Sequence, residues 1–299
     1  MIEPENASAT PALLEVAGLQ VFLPTGQDSE IEAVRHVGLV VRDGERIGIV
    51  GESGSGKSVT GRAISGLLPT SPKVRVNGSI RFAGREMVGA PSSEWDAIRR
   101  ERVGMIFQDP LTFLNPTMRI GRQVAESIPS ARVDGDKRAR LAEVHRFLSR
   151  AGLENAEQVA NSFPHELSGG MRQRVLIAIA IAKLPALILA DEPTTALDAT
   201  VQQRVLRTLD ETVAEMRTAM ILISHDLAVV AGMTDRVYVM YGGRIVEEGT
   251  TEQVLEDPQH PYTQALLRSV HSITEPDTPL YSIPASLRRE LNSEVDRAS

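Results

Sequence analysis

The sequence predicts an α/β fold. Short apolar runs end in polar groups at three points, and the first of them passes through a glycine-rich loop directly into a helical pattern. Polar groups at the carboxyl ends of apolar strands are where open α/β sheets bind ligands. With 299 residues the chain can form one large domain with subdomains or two small ones. Hydrophobic residues at 42% and charged residues at 24% give the balance of a folded globular protein, which excludes disorder of the whole. The 32 basic and 39 acidic residues leave a net charge of -7, so the electrostatic footprint of a nucleic-acid partner is missing. The absence of cysteine removes disulfides, thiolate zinc sites, cysteine nucleophiles and cysteine-ligated iron–sulfur clusters together. The longest apolar runs, such as 175–182, fall short of the ~20 residues that cross a bilayer, and the acidic, proline-containing start is no signal peptide. The chain is not expected to span a membrane.

Residues 1–12, rich in Ala, Pro, Glu and Ser, read as a flexible leader. Loose alternation over 13–23 and again over 33–41 predicts two strands. Residues 46–50 form a short apolar strand, 51–58 the glycine loop, and 59–68 the helix that follows. A helix is predicted over 94–102, a strand over 103–107, and turns over 109–119 around Pro110 and Pro116. The stretch 120–182 is mainly helical. Within it Ser168 stands as the N-cap of a buried helix that Pro185 ends. Apolar strands follow at 187–190, ending in Asp191-Glu192, and at 219–224, ending in His225. Segments 237–240 and 244–246, joined through Gly242-Gly243, predict a hairpin. After Leu267 the periodicity fades into a tail.

Gly51-Glu52-Ser53-Gly54-Ser55-Gly56-Lys57-Ser58 fits G-x-x-x-x-G-K-[ST] in the strand–loop–helix context the motif requires. Glycines let the backbone curl so that successive N–H groups and the helix N-terminus face the β- and γ-phosphates of a nucleotide. Lys57 adds a point charge, and Ser58 can ligate Mg²⁺. If the strand at 187–190 shares a sheet with that at 46–50, Asp191 and Glu192 lie beside the loop. Asp191 then holds Mg²⁺ and Glu192 polarises an attacking water as general base. An isolated Asp-Glu pair is more often a solvated strand end; here the phosphate loop calls for such a pair.

Leu167-Ser168-Gly169-Gly170-Met171 separates one class of phosphate-loop proteins from the others. On it the sequence resembles the ATP-binding-cassette (ABC) family. The resemblance covers 13–270 and takes in, in order, the phosphate loop, Gln108, the 167–171 signature, 187–192, Ala196-Leu197-Asp198 and His225. It implies a P-loop NTPase (RecA-like) core with an antiparallel β subdomain and an inserted α-helical subdomain over about 110–182, leaving 271–299 as a C-terminal tail. It further implies ATP and Mg²⁺ as cofactors. Gly51, Ser53, Gly54, Ser55, Gly56, Lys57, Ser58 and Val59 would bind nucleotide, Ser58, Gln108 and Asp191 would serve Mg²⁺, and Glu192, His225 and Gln108 would act in hydrolysis. Ser168, Gly169 and Gly170 would bind the γ-phosphate of the opposite subunit's nucleotide, with Asp198 in the loop that crosses the dimer interface. His36, His145, His165, His260 and His271 are left as structural or solvent-facing residues.

Two positions depart from the family pattern. Met171 stands where glutamine is more general, although the family's peptide-importer branch resembles the string 168–174 as written. The adenine-stacking aromatic has its slot at Leu23, with Phe22 one residue early and so on the opposite strand face unless a bulge intervenes; Phe22 is the aromatic available. Phe107-Gln108-Asp109-Pro110 leading to Leu114-Asn115-Pro116, and His260-Pro261-Tyr262-Thr263 followed by Ala265-Leu266-Leu267, resemble the dipeptide/oligopeptide/nickel importer branch. The implied function is the ATP-hydrolysing subunit of an importer of di- or oligopeptides. Such a subunit is peripheral on the cytoplasmic face of the cell membrane and pairs with an identical or different second cassette. It drives two integral-membrane permeases and depends indirectly on an extracytoplasmic solute-binding protein. Import of nickel or another small solute is the alternative, as is a soluble non-transport cassette ATPase, although the coiled coil, zinc cysteines or second cassette of such proteins do not occur here. A nucleotide-binding subunit with a dead site is a further class, against which Glu192, His225 and Ser168 all speak.

Members of this branch often carry a cysteine-containing C-terminal segment that in some holds an iron–sulfur cluster. This chain has no thiolate for one, so the purified protein should lack cluster absorbance in the visible range. Stoichiometric iron and acid-labile sulfide would contradict this.

Overall fold

The computed structural model describes residues 12–26, 29–70, 73–133, 135–195 and 197–274, together with Arg289 and Leu291. The leader over 1–11, Ala196 and nearly all of the tail beyond 274 lie outside the described residues.

Among the described residues, ten strands divide between two sheets. β1 (Ala12–Pro24), β2 (Glu30–Arg42), β4 (Arg75–Phe82) and β5 (Arg85–Glu86) form an antiparallel sheet in the order β2-β1-β4-β5. β3 (Arg46–Val50), β6 (Val103–Ile106), β7 (Leu187–Asp191), β8 (Ala219–Ser224), β9 (Arg236–Tyr241) and β10 (Arg244–Thr250) form the second sheet, ordered β10-β9-β3-β8-β7-β6. There β9, β3, β8, β7 and β6 pair in parallel, and only β10 runs antiparallel.

Side-chain alternation gives the central strands two faces, both buried. Ile221 and Ile223 of β8, Leu187 and Leu189 of β7 and Ile47 and Ile49 of β3 pack with Leu14, Leu19, Val37 and Val41 of the antiparallel sheet. Met220 and Leu222, Ile188 and Ala190, and Val237 and Val239 face the other way. They meet Phe147, Leu148 and the apolar helix Gly169–Ala182, with Ile120 and Val124. Each such fully buried aliphatic side chain contributes roughly 1.5–3 kcal/mol, so the central sheet is held from both sides. Gly104 of β6 permits this close layering, because a Cβ there would lie 2.7 Å from the Ala180 carbonyl oxygen.

Most predicted elements are present, with instructive shifts. The helix after the loop runs Lys57–Ile64, not 59–68: it begins inside the motif and stops before the Gly66 turn, where φ is 65°. β4 and β5 were not expected, and the turn-rich 109–119 contains a short helix, Pro110–Phe113, capped by the Asp109 carboxylate accepting from the Leu111 N–H. The fading periodicity after Leu267 hides a helix, Pro261–Thr274. No described helix is long and apolar enough to cross a membrane.

Lys183 caps the C-terminus of Gly169–Ala182 and donates from Nζ to the Arg99 and Val103 carbonyls at 2.6 and 2.9 Å, tying that helix to the start of β6. Burial pushes its ammonium down from the usual 10.5 to about 8. Between those values the unfolded chain binds more protons than the folded one, so this residue makes unfolding free energy rise with pH over that window. Lys183→Met should flatten the rise relative to the parent in urea unfolding at pH 8 and pH 10. Parallel pH curves for the two proteins would refute the buried-ammonium account.

Candidate functional site

At the carboxyl ends of β3, β6 and β7 the sheet opens into a cleft of about 610 Å³. Its lining includes Ser53, Gly54, Gly56, Lys57, Ser58 and Val59 of the loop and helix start, Gln108 after β6, and Glu192 after β7. Leu23, Ile31 and Ala33 of the antiparallel sheet and Gly242-Gly243 of the β9–β10 turn complete it.

The loop's glycines are required by its path. Gly51, Gly54 and Gly56 have φ of 151°, 82° and 100°, conformations L side chains rarely adopt. A Cβ on Gly51 would lie 2.2 Å from the Met240 carbonyl oxygen, and one on Gly56 would lie 2.6 Å from that of Ala33. The loop is thus pressed between β2 and the β9–β10 turn, whose Gly243 N–H donates to the Ser55 carbonyl at 3.0 Å.

Lys57 is 4% exposed, and its Nζ donates to the Gly51 and Glu52 carbonyls, both at 2.8 Å. Burial lowers the Lys57 pKa, while Glu192, Asp191 and Glu52 oppose that effect. Ser55 is buried with its Oγ 3.5 Å from the same ammonium. Ser58 Oγ donates to Asp191 Oδ1 at 2.9 Å. Burial raises the Asp191 pKa, and the Ser58 hydrogen bond and Arg62 counter it. A hydroxyl and a carboxylate in contact, with the Gln108 amide on the same cleft, form a hard-oxygen donor set that suits Mg²⁺.

Glu192 has φ 47°, a rare conformation for a residue with a Cβ, and its N–H donates to the Ile223 carbonyl at 2.9 Å. That bond fastens the turn after β7 to β8. Glu192 Oε2 lies 3.4 Å from His225 Nδ1 and accepts from Thr195 Oγ1 at 2.9 Å. Glu192 and His225, far apart in sequence, therefore meet because β7 and β8 are adjacent and parallel.

Other predicted residues are not in this cleft. Ser168 caps Gly169–Ala182 by accepting from the Met171 N–H at 3.3 Å, and Asp198 caps Ala199–Met216 by accepting from Val201 N–H at 3.0 Å. Gly170 is where these two helices touch, since a Cβ there would lie 2.3 Å from Val201 Cγ1; Gly169 sits against Leu197. Neither Ser168, Gly169, Gly170 nor Asp198 lines the cleft. Phe22 does not line it either. A register irregularity separates Val21 from Phe22 in the pairing with β2, yet the Phe22 ring lies under the Arg75 guanidinium at 3.6 Å, while Leu23 faces the loop. The cleft wall at this point is the aliphatic Leu23.

Two residues escaped the sequence reading. Thr195 donates to Glu192, and its signal was only its place three residues on in a Pro-Thr-Thr turn. Gln173 is 1% exposed on the signature helix and donates from Nε2 to the Phe107 carbonyl at 3.0 Å, next to Gln108. A polar residue on an otherwise apolar helix was its signal.

A family model described as "ABC transporter" matches residues 34–195, and one described as "Oligopeptide/dipeptide transporter, C-terminal region" matches 246–294. The chain is 45% identical over 261 residues to the oligopeptide transport ATP-binding protein OppD of Bacillus subtilis, covering 87% of this chain and 72% of that one. It is 44% identical to OppD of Salmonella typhimurium, covering 94% and 84%, and 41% identical to the dipeptide transport ATP-binding protein DppD of Lactococcus lactis, covering 93% and 79%. Among solved structures, the ATP-binding cassette MJ0796, a dimer bound to ADP and Pi, superposes with a TM-score of 0.69 at 28% identity over 80% of this chain and 98% of that one. The protein cbiO1 of Clostridium perfringens, part of an ABC transporter complex, gives 0.68 at 25% identity over 82% and 91%.

Thr195 is exposed, so its charge-assisted bond to Glu192 works near the low end of such bonds. Thr195→Val should lower the ATP turnover number by about threefold to tenfold with nucleotide affinity unchanged. Steady-state kinetics beside equilibrium ATP titration checks this, and a change in affinity alone would assign Thr195 a different part.

Proposed function

The chain belongs to the ABC transporter family of ATP-binding subunits, and from that membership we propose that it is the ATP-hydrolysing motor of an importer of di- or oligopeptides. One observation supports the ATPase assignment above the others: Lys57, Ser58, Gln108 and Glu192 line one cleft, with His225 in contact with Glu192, while the Ser168 signature does not line it. A site with its base but without its second anion-binding helix terminus is completed by another cassette. The peptide assignment draws support from the OppD and DppD relatives and from the C-terminal match over 246–294. Residues 13–270 then constitute the ATP-binding domain, with the helical subdomain over 110–182.

In this reading the loop amides, the helix that starts at Lys57 and the Lys57 ammonium bind the β- and γ-phosphates of ATP. Ser58, Asp191 and Gln108 would hold Mg²⁺, which would supply charge neutralisation on the phosphate oxygens. Glu192 takes a proton from the water that attacks the γ-phosphorus in line, and the bond from that phosphorus to the β–γ bridging oxygen breaks to release ADP and phosphate. His225 and Thr195 keep the Glu192 carboxylate aimed. Ser168, Gly169 and Gly170 serve the nucleotide of the opposite cassette, identical or different, and Asp198 lies at that interface. Leu111 and Phe113, 56% and 48% exposed and three and five residues beyond Gln108, offer an apolar contact to a membrane-embedded permease. The subunit sits peripherally on the cytoplasmic face, with two permeases and an external peptide-binding protein completing the assembly.

Glu192→Gln keeps shape but removes the base, which typically costs ~10²–10⁴-fold in rate. With ATP and its cassette partner, this variant should accumulate as a nucleotide-bound dimer in size-exclusion chromatography. Adding Ser168→Arg to the same chain should abolish that dimer while leaving ATP bound to the monomer. Near-normal turnover of Glu192→Gln would move the base elsewhere, and loss of monomer binding with Ser168→Arg would place the signature in its own subunit's site.

A further inference from the structure

The His260-Pro261-Tyr262-Thr263 motif takes no part in the chemistry above, yet it reaches the phosphate loop. Tyr262, at the start of the helix Pro261–Thr274, is fully buried. Its hydroxyl oxygen accepts a hydrogen bond from the Glu52 N–H at 2.9 Å. That N–H belongs to the Gly51–Glu52 peptide, whose carbonyl oxygen accepts from Lys57 Nζ at 2.8 Å. One peptide unit therefore has the Tyr262 hydroxyl on one end and the Lys57 ammonium on the other. Donation from its N–H polarises the carbonyl and makes it the better acceptor, so the two bonds reinforce each other in a buried setting.

The tyrosine is itself fixed from three directions. Its ring lies 4.6 Å from that of Tyr241 at the end of β9, and its N–H donates to His260 Nδ1 at 3.2 Å. The Gln259 and His260 N–H groups donate to the Glu247 carboxylate of β10 at 2.6 and 3.1 Å. The neighbouring Met240 carbonyl is the group that crowds Gly51. The C-terminal region and the loop are thus gauged against the same two strands.

We propose that Tyr262 is a positioning residue of the phosphate loop, through which the C-terminal helix sets nucleotide affinity. The proposal rests on the ATP-binding reading above. Residue 262 lies outside the 34–195 match that carries the nucleotide motifs and inside the 246–294 match. The C-terminal region is then a brace on the nucleotide site, and any contact that shifts the helix Pro261–Thr274 changes how the loop holds phosphate.

Tyr262→Phe keeps the ring and removes the hydroxyl that accepts from the half-buried Glu52 N–H. The dissociation constants of the full chain for MgATP and MgADP should both rise by about threefold to tenfold, the range expected for one neutral hydrogen bond. Amide exchange over 51–58 should quicken while that of the central strands stays the same. Leu266→Ala, in the same helix and also buried, should lower the melting temperature without that change in affinity or exchange. Parent-like affinity and exchange in Tyr262→Phe overturn the proposal, and so does an equal loss of affinity in Leu266→Ala, which would make the helix mere packing. Failure of the parent chain to bind ATP would instead remove the reading on which the proposal stands.

Discussion

Parallel pairing puts Val50 beside Ser224 and Asp191 beside Ile223. With that register the loop after β3, the carboxylates after β7 and the histidine after β8 all leave the sheet at one edge. Lys57, the Asp191-Glu192 pair and His225 lie far apart in sequence, and strand order brings these three segments together. The register is held by burial on both faces, since a slip of one residue would exchange Ile221 and Ile223 for Met220 and Leu222 on every strand contact. Stability and chemistry depend on the same ladder, and the antiparallel sheet contributes by covering one face of it while supplying Leu23, Ile31 and Ala33 to the cleft wall.

How far the molecule is legible from its residues depends on how local each signal is. Residues 46–50 and 219–224 are short, continuous and apolar, and both strands fall where the pattern puts them. The phosphate loop carries its own geometry in its glycines, so Lys57 and Ser58 were readable outright. β4 was not, because Arg75–Phe82 mixes arginines, Asn77, Ser79 and a glycine at φ 94°, and its strand character comes from pairing with β1. The start of the 57–64 helix was misplaced by two residues because a helix may begin inside a functional loop. Phe22 was the available aromatic, but whether a side chain meets the cleft is decided by sheet geometry and by Arg75, neither of which spacing reveals. Thr195 and Tyr262 act through hydroxyl contacts across a turn or across the chain. No periodicity encodes such a contact.

The cleft also shows how backbone strain and burial are placed. Glu192 holds a left-handed φ, and Lys57 is buried among carbonyls and three carboxylates that partly offset its desolvation. Non-glycine residues in such conformations cost of order 1–3 kcal/mol and persist only where surrounding bonds fix them. Here the Ile223 carbonyl and the Thr195 hydroxyl do so. The resulting site is stiff where charge must be aimed and open where substrate enters.

The contact between Gly170 and Val201 binds the fates of two segments during sequence drift. With a side chain at 201 occupying the space a Cβ at 170 would need, alanine at 170 requires Val201 to shift or to shrink. The two helix starts that Ser168 and Asp198 cap are thereby one inherited unit. Any remodelling of that surface has to accommodate both positions at once.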